Sequence, residues 1–409
     1  IHLYGVLEDG VPCLLIDDRF RPHFFIRAAD LARARAVAPR IEAEETELTS
    51  FAGDPVVRIL TRLPDDIPPL RSRLERSGIA CFEADIRFAY RYLIDHGIRG
   101  AFEVHGHADR HLRLGRIVRN PELSPAHWKP ALKVLSIDIE TDPHARSVHS
   151  IALHTRDFER VLIVHDHLLV KGEPVRSEKE LIRRVLAYVE ELDPDVITGW
   201  NVVDFDLAVL ARIAHNHGIR FTLGRNGEDL RIRKDASYSR ESRALLYGRQ
   251  VLDGLALLRG AFYKLDDYKL ETAAQAILGR GKLIAGDDRG EAIEKAFAED
   301  PQHLVDYNLQ DARLVSEILD ATGLVDLAVE RSLLTGMQLD RVGAAIASVD
   351  SLYLPELRRR GRVAPSVHAG AAAEDISGGH VLASKPGLYE NVLVFDFRSL
   401  YPSLVRTFN

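Results

Sequence analysis

Lys133-Val134-Leu135-Ser136-Ile137-Asp138-Ile139-Glu140 is the stretch on which the reading of this chain turns. Its apolar residues recur at the period of a strand, so Leu135, Ile137 and Ile139 share one face and Asp138 and Glu140 project together from the other. Two like charges side by side on a strand with one buried face repel each other, a cost that a cation would relieve. Further strands are expected at Ser150–His154 and Arg160–His165. Ser177 then caps an amphipathic helix with Leu181, Val185, Val189 and Leu192 on one face. Asp195–Trp200 reads as a buried strand, and Asp204–His217 as a helix capped by Asp204 and stopped by Gly218. After Asp300-Pro301 a helix runs through Leu304, Leu309 and Leu314 to about Ile318. Strands first and helices between later strands predict an α/β region, a mixed sheet with helices against it.

The flanks read differently. Residues 1–130 mix short alternating runs, Ile1–Leu7 and Val56–Leu60, with one helix at Ala28–Ala38 that opens after Asp30. Turn clusters recur among them, which fits a β-rich N-terminal domain ending near Asn120-Pro121-Glu122-Leu123-Ser124-Pro125. Residues 131–330 form the α/β domain. Residues 331–409 hold a helical linker, with helix expected over about 325–361, and an apolar strand at Val392–Phe397 that carries Asp396.

Composition sets the bounds. With 409 residues, 46% hydrophobic and 28% charged, the chain is of ordinary globular type and large enough for two or three domains. It has no apolar run near the roughly 18 residues of a membrane helix. Cys13 and Cys81 make neither a disulfide framework nor a paired metal motif, which predicts a reducing, cytoplasmic setting. A net charge of −7 gives no global basic field. The chain opens on Ile1, holds Met337 as its only methionine and stops at Asn409 in mid-pattern, so it is expected to be part of a longer protein.

Two further elements join Asp138 and Glu140. Asp206 follows Thr198-Gly199-Trp200-Asn201, where a strand end turns into a helix. Tyr307 and Asp311 lie four apart on a helix and so on one face. Each alone has a plain explanation: an exposed strand face, an acid favoured at a helix N-terminus, a surface pair. Together, four carboxylates from a strand, a helix start and a late helix could converge on a divalent pair. Two metals about 3.5–4 Å apart suit in-line phosphoryl transfer, and hard cations such as Mg²⁺ take carboxylate and phosphate oxygens. A tyrosine hydroxyl one turn from a ligand could orient the attacking water.

The Asp-x-Glu strand, Asn201-Val202-Val203-Asp204-Phe205-Asp206 and Tyr307-x-x-x-Asp311 resemble the three motifs of the DEDD 3′→5′ exonucleases, tyrosine subtype. The resemblance implies an RNase H-like fold and two ions, Mg²⁺ or Mn²⁺, held by Asp138, Glu140, Asp206 and Asp311. It also implies that Tyr307 positions the water and that Asn201 and Phe205 lie near the 3′ end of the DNA.

Asp396-Phe397-Arg398-Ser399-Leu400-Tyr401-Pro402-Ser403 resembles motif A of the family B DNA polymerases, and Leu404–Phe408 continues it as in a bacterial type of that family. The resemblance implies that Asp396 binds metal at the polymerase site and that Tyr401 faces the nucleotide, at the start of a polymerase palm. Gly378-Gly379 matches the Gly-Gly linker of the family, with Ser377 and His380 in place of its flanking aromatics. Primer-template DNA, deoxynucleoside triphosphates and a sliding clamp follow as partners of a full-length enzyme, in DNA replication or repair. The fingers motif and second palm acid do not occur in these 409 residues, so hydrolysis without polymerisation is expected. A stand-alone exonuclease and a DNA-binding module with a decayed nuclease are the rival readings. Motif A argues against the first, and the complete carboxylate set with Tyr307 against the second.

Three weaker signals remain. Arg231, Arg233, Lys234, Arg240, Arg243 and Arg249, with Tyr238 and Tyr247, form a locally basic insertion. It reads either as a solvated hairpin or as one touching DNA phosphates and bases. His105, His107 and His111 lack the scaffold of a metal site. Leu278-Gly279-Arg280-Gly281-Lys282 lacks a P-loop's first glycine and reads as a helix-ending turn.

Overall fold

The computed structural model describes residues 1–112, 114–233, 242–281, 289–341, 345–367 and 382–408. Lys234, Tyr238, Arg240, Lys282 and Gly378-Gly379 lie outside the described residues. The chain divides into two compact units, Ile1–Val367 and His368–Asn409.

The deciding stretch is the strand Val134–Thr141 of a six-stranded mixed sheet. The sheet order is Gly172–Val175, Glu159–Val164, Val148–His154, Val134–Thr141, Val196–Gly199, Gln250–Asp253. The central strand runs antiparallel to Val148–His154 and parallel to Val196–Gly199. Its alternation sends Leu135, Ile137 and Ile139 into a core with Leu181, Val185 and Val189 of the helix Glu178–Leu192 and Leu207 and Leu210 of the helix Asp206–Asn216. Ser177 caps the first of these helices as expected, its side chain accepting from the Glu180 N–H. The opposite face of the sheet buries Ala152, Val161 and Ile163 against the helix Pro301–Thr322, through Leu304, Val305, Tyr307 and Leu309. The acidic face of the central strand is therefore covered by a helix rather than open to solvent. That helix begins with Asp300 accepting from the His303 N–H and with Pro301 in its first turn, where a missing donor costs nothing.

Upstream, residues 1–125 form a four-stranded sheet, His2–Val6, Pro12–Ile16, Gly115–Arg119 and Ala108–His111, a two-stranded pair, and a second four-stranded sheet centred on His23–Arg27 and Pro55–Leu60. The Leu31–Val37 helix follows Asp30 as expected, but Asp30 makes no side-chain cap and instead lies 2.9 Å from Arg33. The expected helical stretch over 325–361 is Leu324–Thr335, a short 3-10 turn Leu339–Arg341, and Ala345–Arg359. Past it, the backbone pairs with the N-terminal strands: the Val363 N–H reaches the Thr49 carbonyl at 3.0 Å, and the Glu83 N–H reaches that of Ala364 at 3.1 Å.

In the second unit, Val392–Phe397 is not a strand. Its residues are exposed coil, followed by the helix Leu400–Phe408. A strand exists only with a hydrogen-bonded neighbour, and no described residue pairs with this run.

Candidate active site

The site is built where three elements meet. Asp138 and Glu140 leave the same face of the central strand, at its end, with a shift of register between Glu140 and Thr141. Such bulges re-aim side chains and are common beside active sites. Asp311 comes down from the Pro301–Thr322 helix, and one carboxylate oxygen from each of Asp138, Glu140 and Asp311 falls within 4.8 Å of the others. Glu140 and Asp311 are buried, and Asp138 is half-buried.

Asp206 stands beside this trio rather than within it. It is the first residue of its helix, and its Oδ1 accepts from the Ile139 N–H at 3.1 Å. Burial pushes its carboxyl well above the usual carboxylate range, the nearby Asp138 charge pushes it further, and hydrogen bonds from its own and the Ile139 N–H groups only oppose this. The expected cap, Asp204, is exposed, because the helix starts two residues later than its sequence suggests, with Phe205 at the cap position and no side-chain cap.

What fixes the connecting loop is Asp253, a residue that sequence reading did not single out. Its carboxylate accepts from Leu255 at 3.0 Å and Ala256 at 3.3 Å, capping its own helix, and from Asn201 at 3.3 Å and Val203 at 3.4 Å across the sheet edge. Burial raises its carboxyl despite these four donors. The chain leaves the sheet through Gly199, where a Cβ would lie 2.5 Å from the Ile137 carbonyl, and Asn201 takes φ 60°. Close approach requires glycine at the first, and the left-handed turn favours asparagine at the second.

Asn308 is the second residue missed. Its Nδ2 donates to Asp138 Oδ2 at 2.7 Å, while its Oδ1 accepts from Ser150 Oγ at 2.9 Å. Asn308 and Ser150 are fully buried, so the amide holds Asp138 in one orientation. A neighbour of Tyr307 in a helix carries no such signal in sequence. Tyr307 itself is buried in the apolar layer with Ala152, Ile163 and Val305.

Asp138, Glu140, Asp206, Tyr307 and Asp311 thus share one region. Phe205 is exposed and Asn201 half-buried at the same loop. The donor set at the trio is carboxylate oxygen throughout, which suits a hard divalent cation. Asp396 and Tyr401 lie exposed in the second unit. The basic insertion is a hairpin, with Arg231–Arg233 antiparallel to Arg243–Leu245. Arg243 pairs with Asp340, and Arg249 is structural: it is buried, donating to the Leu223 carbonyl at 2.8 Å and lying 2.8 Å from Asp193. His105 and His107 face Glu103 and Asp109 rather than a shared centre. Gly279 ends the Leu270–Leu278 helix in the left-handed region, the expected turn.

Residues 79–273 match the family described as DNA polymerase family B, exonuclease domain, and residues 341–409 match DNA polymerase family B. The first match takes in Asp138, Glu140 and Asp206 and ends before Tyr307 and Asp311, whereas the second includes Asp396. DNA polymerase II of Escherichia coli strain K12 is 37% identical over 370 residues, which is 88% of this chain and 46% of that protein. The DNA polymerase of Thermococcus gorgonarius is 26% identical over 99% of this chain and 53% of its own length. The family B DNA polymerase from the archaeon Pyrobaculum calidifontis superposes with a TM-score of 0.77 at 26% identity, over 100% of this chain and 54% of that one. The chain spans about half the length of these relatives.

Proposed function

The chain belongs to the family B DNA polymerases, and from that membership we propose that it carries a 3′→5′ exonuclease acting on the single-stranded 3′ end of DNA. What supports this reading is the approach of Asp138, Glu140 and Asp311 to within 4.8 Å of one another, with Asp206 beside them. On this reading residues 1–130 are the N-terminal domain, 131–330 an RNase H-like exonuclease domain, and 331–409 a helical linker and the start of the polymerase palm with motif A.

The four carboxylates are ligands for two ions, Mg²⁺ or Mn²⁺. Two ions held there would supply a water of lowered pKa and charge to offset the leaving oxygen. Asn308 keeps Asp138 turned toward the centre, and Asp253 keeps the loop that carries Asp206 in register with the central strand. Phe205 offers an exposed ring on which the terminal base stacks, and Asn201 a polar group beside it. The Tyr307 hydroxyl, one turn from Asp311, orients the attacking water. Asp396 and Tyr401 serve the polymerase centre of a longer enzyme, with primer-template DNA, deoxynucleoside triphosphates and a sliding clamp as its partners and the cytoplasm as its setting.

The test compares the parent with Asp138→Ala/Glu140→Ala on single-stranded DNA with Mg²⁺ or Mn²⁺. The parent degrades the strand and stops when the metal is chelated, while the double variant is inactive under all conditions. Activity that survives chelation, or that the double variant retains, contradicts the assignment.

A further inference from the structure

Among the described residues, the buried arginines are committed to acids. Arg91 lies 2.7 Å from Glu83, Arg225 lies 2.9 Å from both Asp193 and Asp195, and Arg249 lies 2.8 Å from Asp193. One group departs from this pattern. Arg87 immediately precedes the helix Phe88–Asp95, Arg233 and Arg243 are paired across the two strands of the hairpin, and Arg341 ends the turn Leu339–Arg341. Arg341, Arg243 and Arg233 all act electrostatically on Arg87, so three segments far apart in sequence bring four guanidinium groups together. Asp340 is the carboxylate in contact with them, and Arg243 takes it. Among the described residues, Arg87, Arg233 and Arg341 make no ion pair.

The interior of the cluster points the same way. Arg243 Nε, Arg341 Nη1, Asp340 Oδ1 and the Tyr90 hydroxyl are all shut off from solvent with no hydrogen-bond partner among the described residues. Tyr90 lies in the first turn of the Phe88–Asp95 helix and interacts with Arg341, Asp340, Arg243 and Arg87. Buried polar atoms without partners are rare in folded proteins, and four in one place call for a common explanation. Arg87 is exposed, but partial desolvation and the neighbouring Arg341 charge hold its guanidinium below the usual range, the direction expected where positive charges crowd.

We propose that Arg87, Arg233, Arg243 and Arg341, with the Tyr90 hydroxyl, form a phosphate-binding site. The guanidinium fork matches a phosphate's oxygens two at a time, and the tyrosine adds a neutral donor. The phosphate belongs either to the backbone of a nucleic-acid strand or to a free nucleotide or inorganic phosphate. The site uses none of the four carboxylates, so it stands whether or not they hydrolyse DNA.

Binding is therefore measured in EDTA, where hydrolysis does not contribute. A labelled oligothymidylate is titrated across a salt series with the parent, Arg87→Ala, Arg87→Lys and Arg341→Ala. In parallel, melting curves are recorded with and without inorganic pyrophosphate. If a strand phosphate binds, Arg87→Ala weakens affinity about tenfold, the size of one lost charge-assisted hydrogen bond. Its salt slope falls by roughly 0.7, and Arg87→Lys restores that slope. If a free phosphate is the ligand, strand binding is unchanged, while pyrophosphate raises the melting temperature of the parent and not of Arg87→Ala. Arg87 is exposed, so its replacement is expected to leave the fold intact, and it decides the matter should Arg341→Ala fail to fold. Parent-like affinity, salt slope and pyrophosphate response in Arg87→Ala overturn the proposal.

Discussion

Asn308 shows what a single residue contributes here that no motif records. Its amide joins Asp138 to Ser150, partners 170 and 158 positions away in sequence. Removing it takes one buried hydrogen bond from Asp138 and leaves the Ser150 hydroxyl without this acceptor. Asn308→Ala is expected to lower metal-dependent degradation about 10- to 100-fold, the usual cost of losing a group that orients a ligand. A metal titration checks this, since the activity should recover in part at high Mn²⁺. Asp193 gives a pH-dependent counterpart away from the site. Burial alone would raise its carboxyl, but hydrogen bonds and charge from Arg225 and Arg249 hold it below the usual range. Its contribution to stability is therefore present above the ordinary carboxylate pKa and is lost as pH falls through the depressed one. Asp193→Asn should destabilise the protein by roughly 1–2 kcal/mol at pH 7, because Arg249 loses its carboxylate partner while Arg225 keeps Asp195. Denaturant melts should show the gap between variant and parent closing toward pH 2.

At the scale of elements, the site depends on a strand, a helix start and a late helix being held to one another. Asp253 does this for the middle piece, by serving as the cap of one helix and the anchor of the loop that enters another. Asp253→Ala should cost about 1–2 kcal/mol as a lost cap and should also displace Asp206. Divalent metal, which binds the folded state preferentially, should raise the melting temperature of the parent. That rise should be smaller in Asp253→Ala and absent in Asp138→Ala/Glu140→Ala, as scanning calorimetry across millimolar Mn²⁺ would show. Elements whose pattern is local were readable in advance. The alternation from Val134 to Glu140, the Ser177 cap and the period of Leu304, Leu309 and Leu314 all announce themselves within one or two turns. Asp253 could have been read as a helix cap, since it ends an apolar strand and precedes a helix. Its reach to Asn201 and Val203 could not, because that depends on parallel pairing with Val196–Gly199. Val392–Phe397 misled for the converse reason: its apolar pattern is that of a strand, but pairing is a property of neighbours.

For the whole molecule, the carboxylate motifs pointed to the family that the matches to residues 79–273 and 341–409 identify. Composition contributed little. A net charge of −7 hides the local opposition between the acidic centre and the arginine cluster. On the proposed reading Asp396 is the palm carboxylate these 409 residues supply, where nucleotidyl transfer uses carboxylates on both sides of two metals. It should therefore degrade primers without extending them, and Asp396→Ala should leave degradation unchanged. Gel assays with and without deoxynucleoside triphosphates check both points, and incorporation of nucleotides would show that the division of labour is wrong. The central claim is that the carboxylates remove nucleotides from the 3′ end. It is tested most directly by digesting one oligonucleotide labelled in turn at its 5′ and 3′ ends, with Mn²⁺ present. A 3′→5′ exonuclease gives a descending ladder from the 5′ label and immediate release of a labelled mononucleotide from the 3′ label. A ladder from the 3′ label with early mononucleotide release from the 5′ label would contradict it.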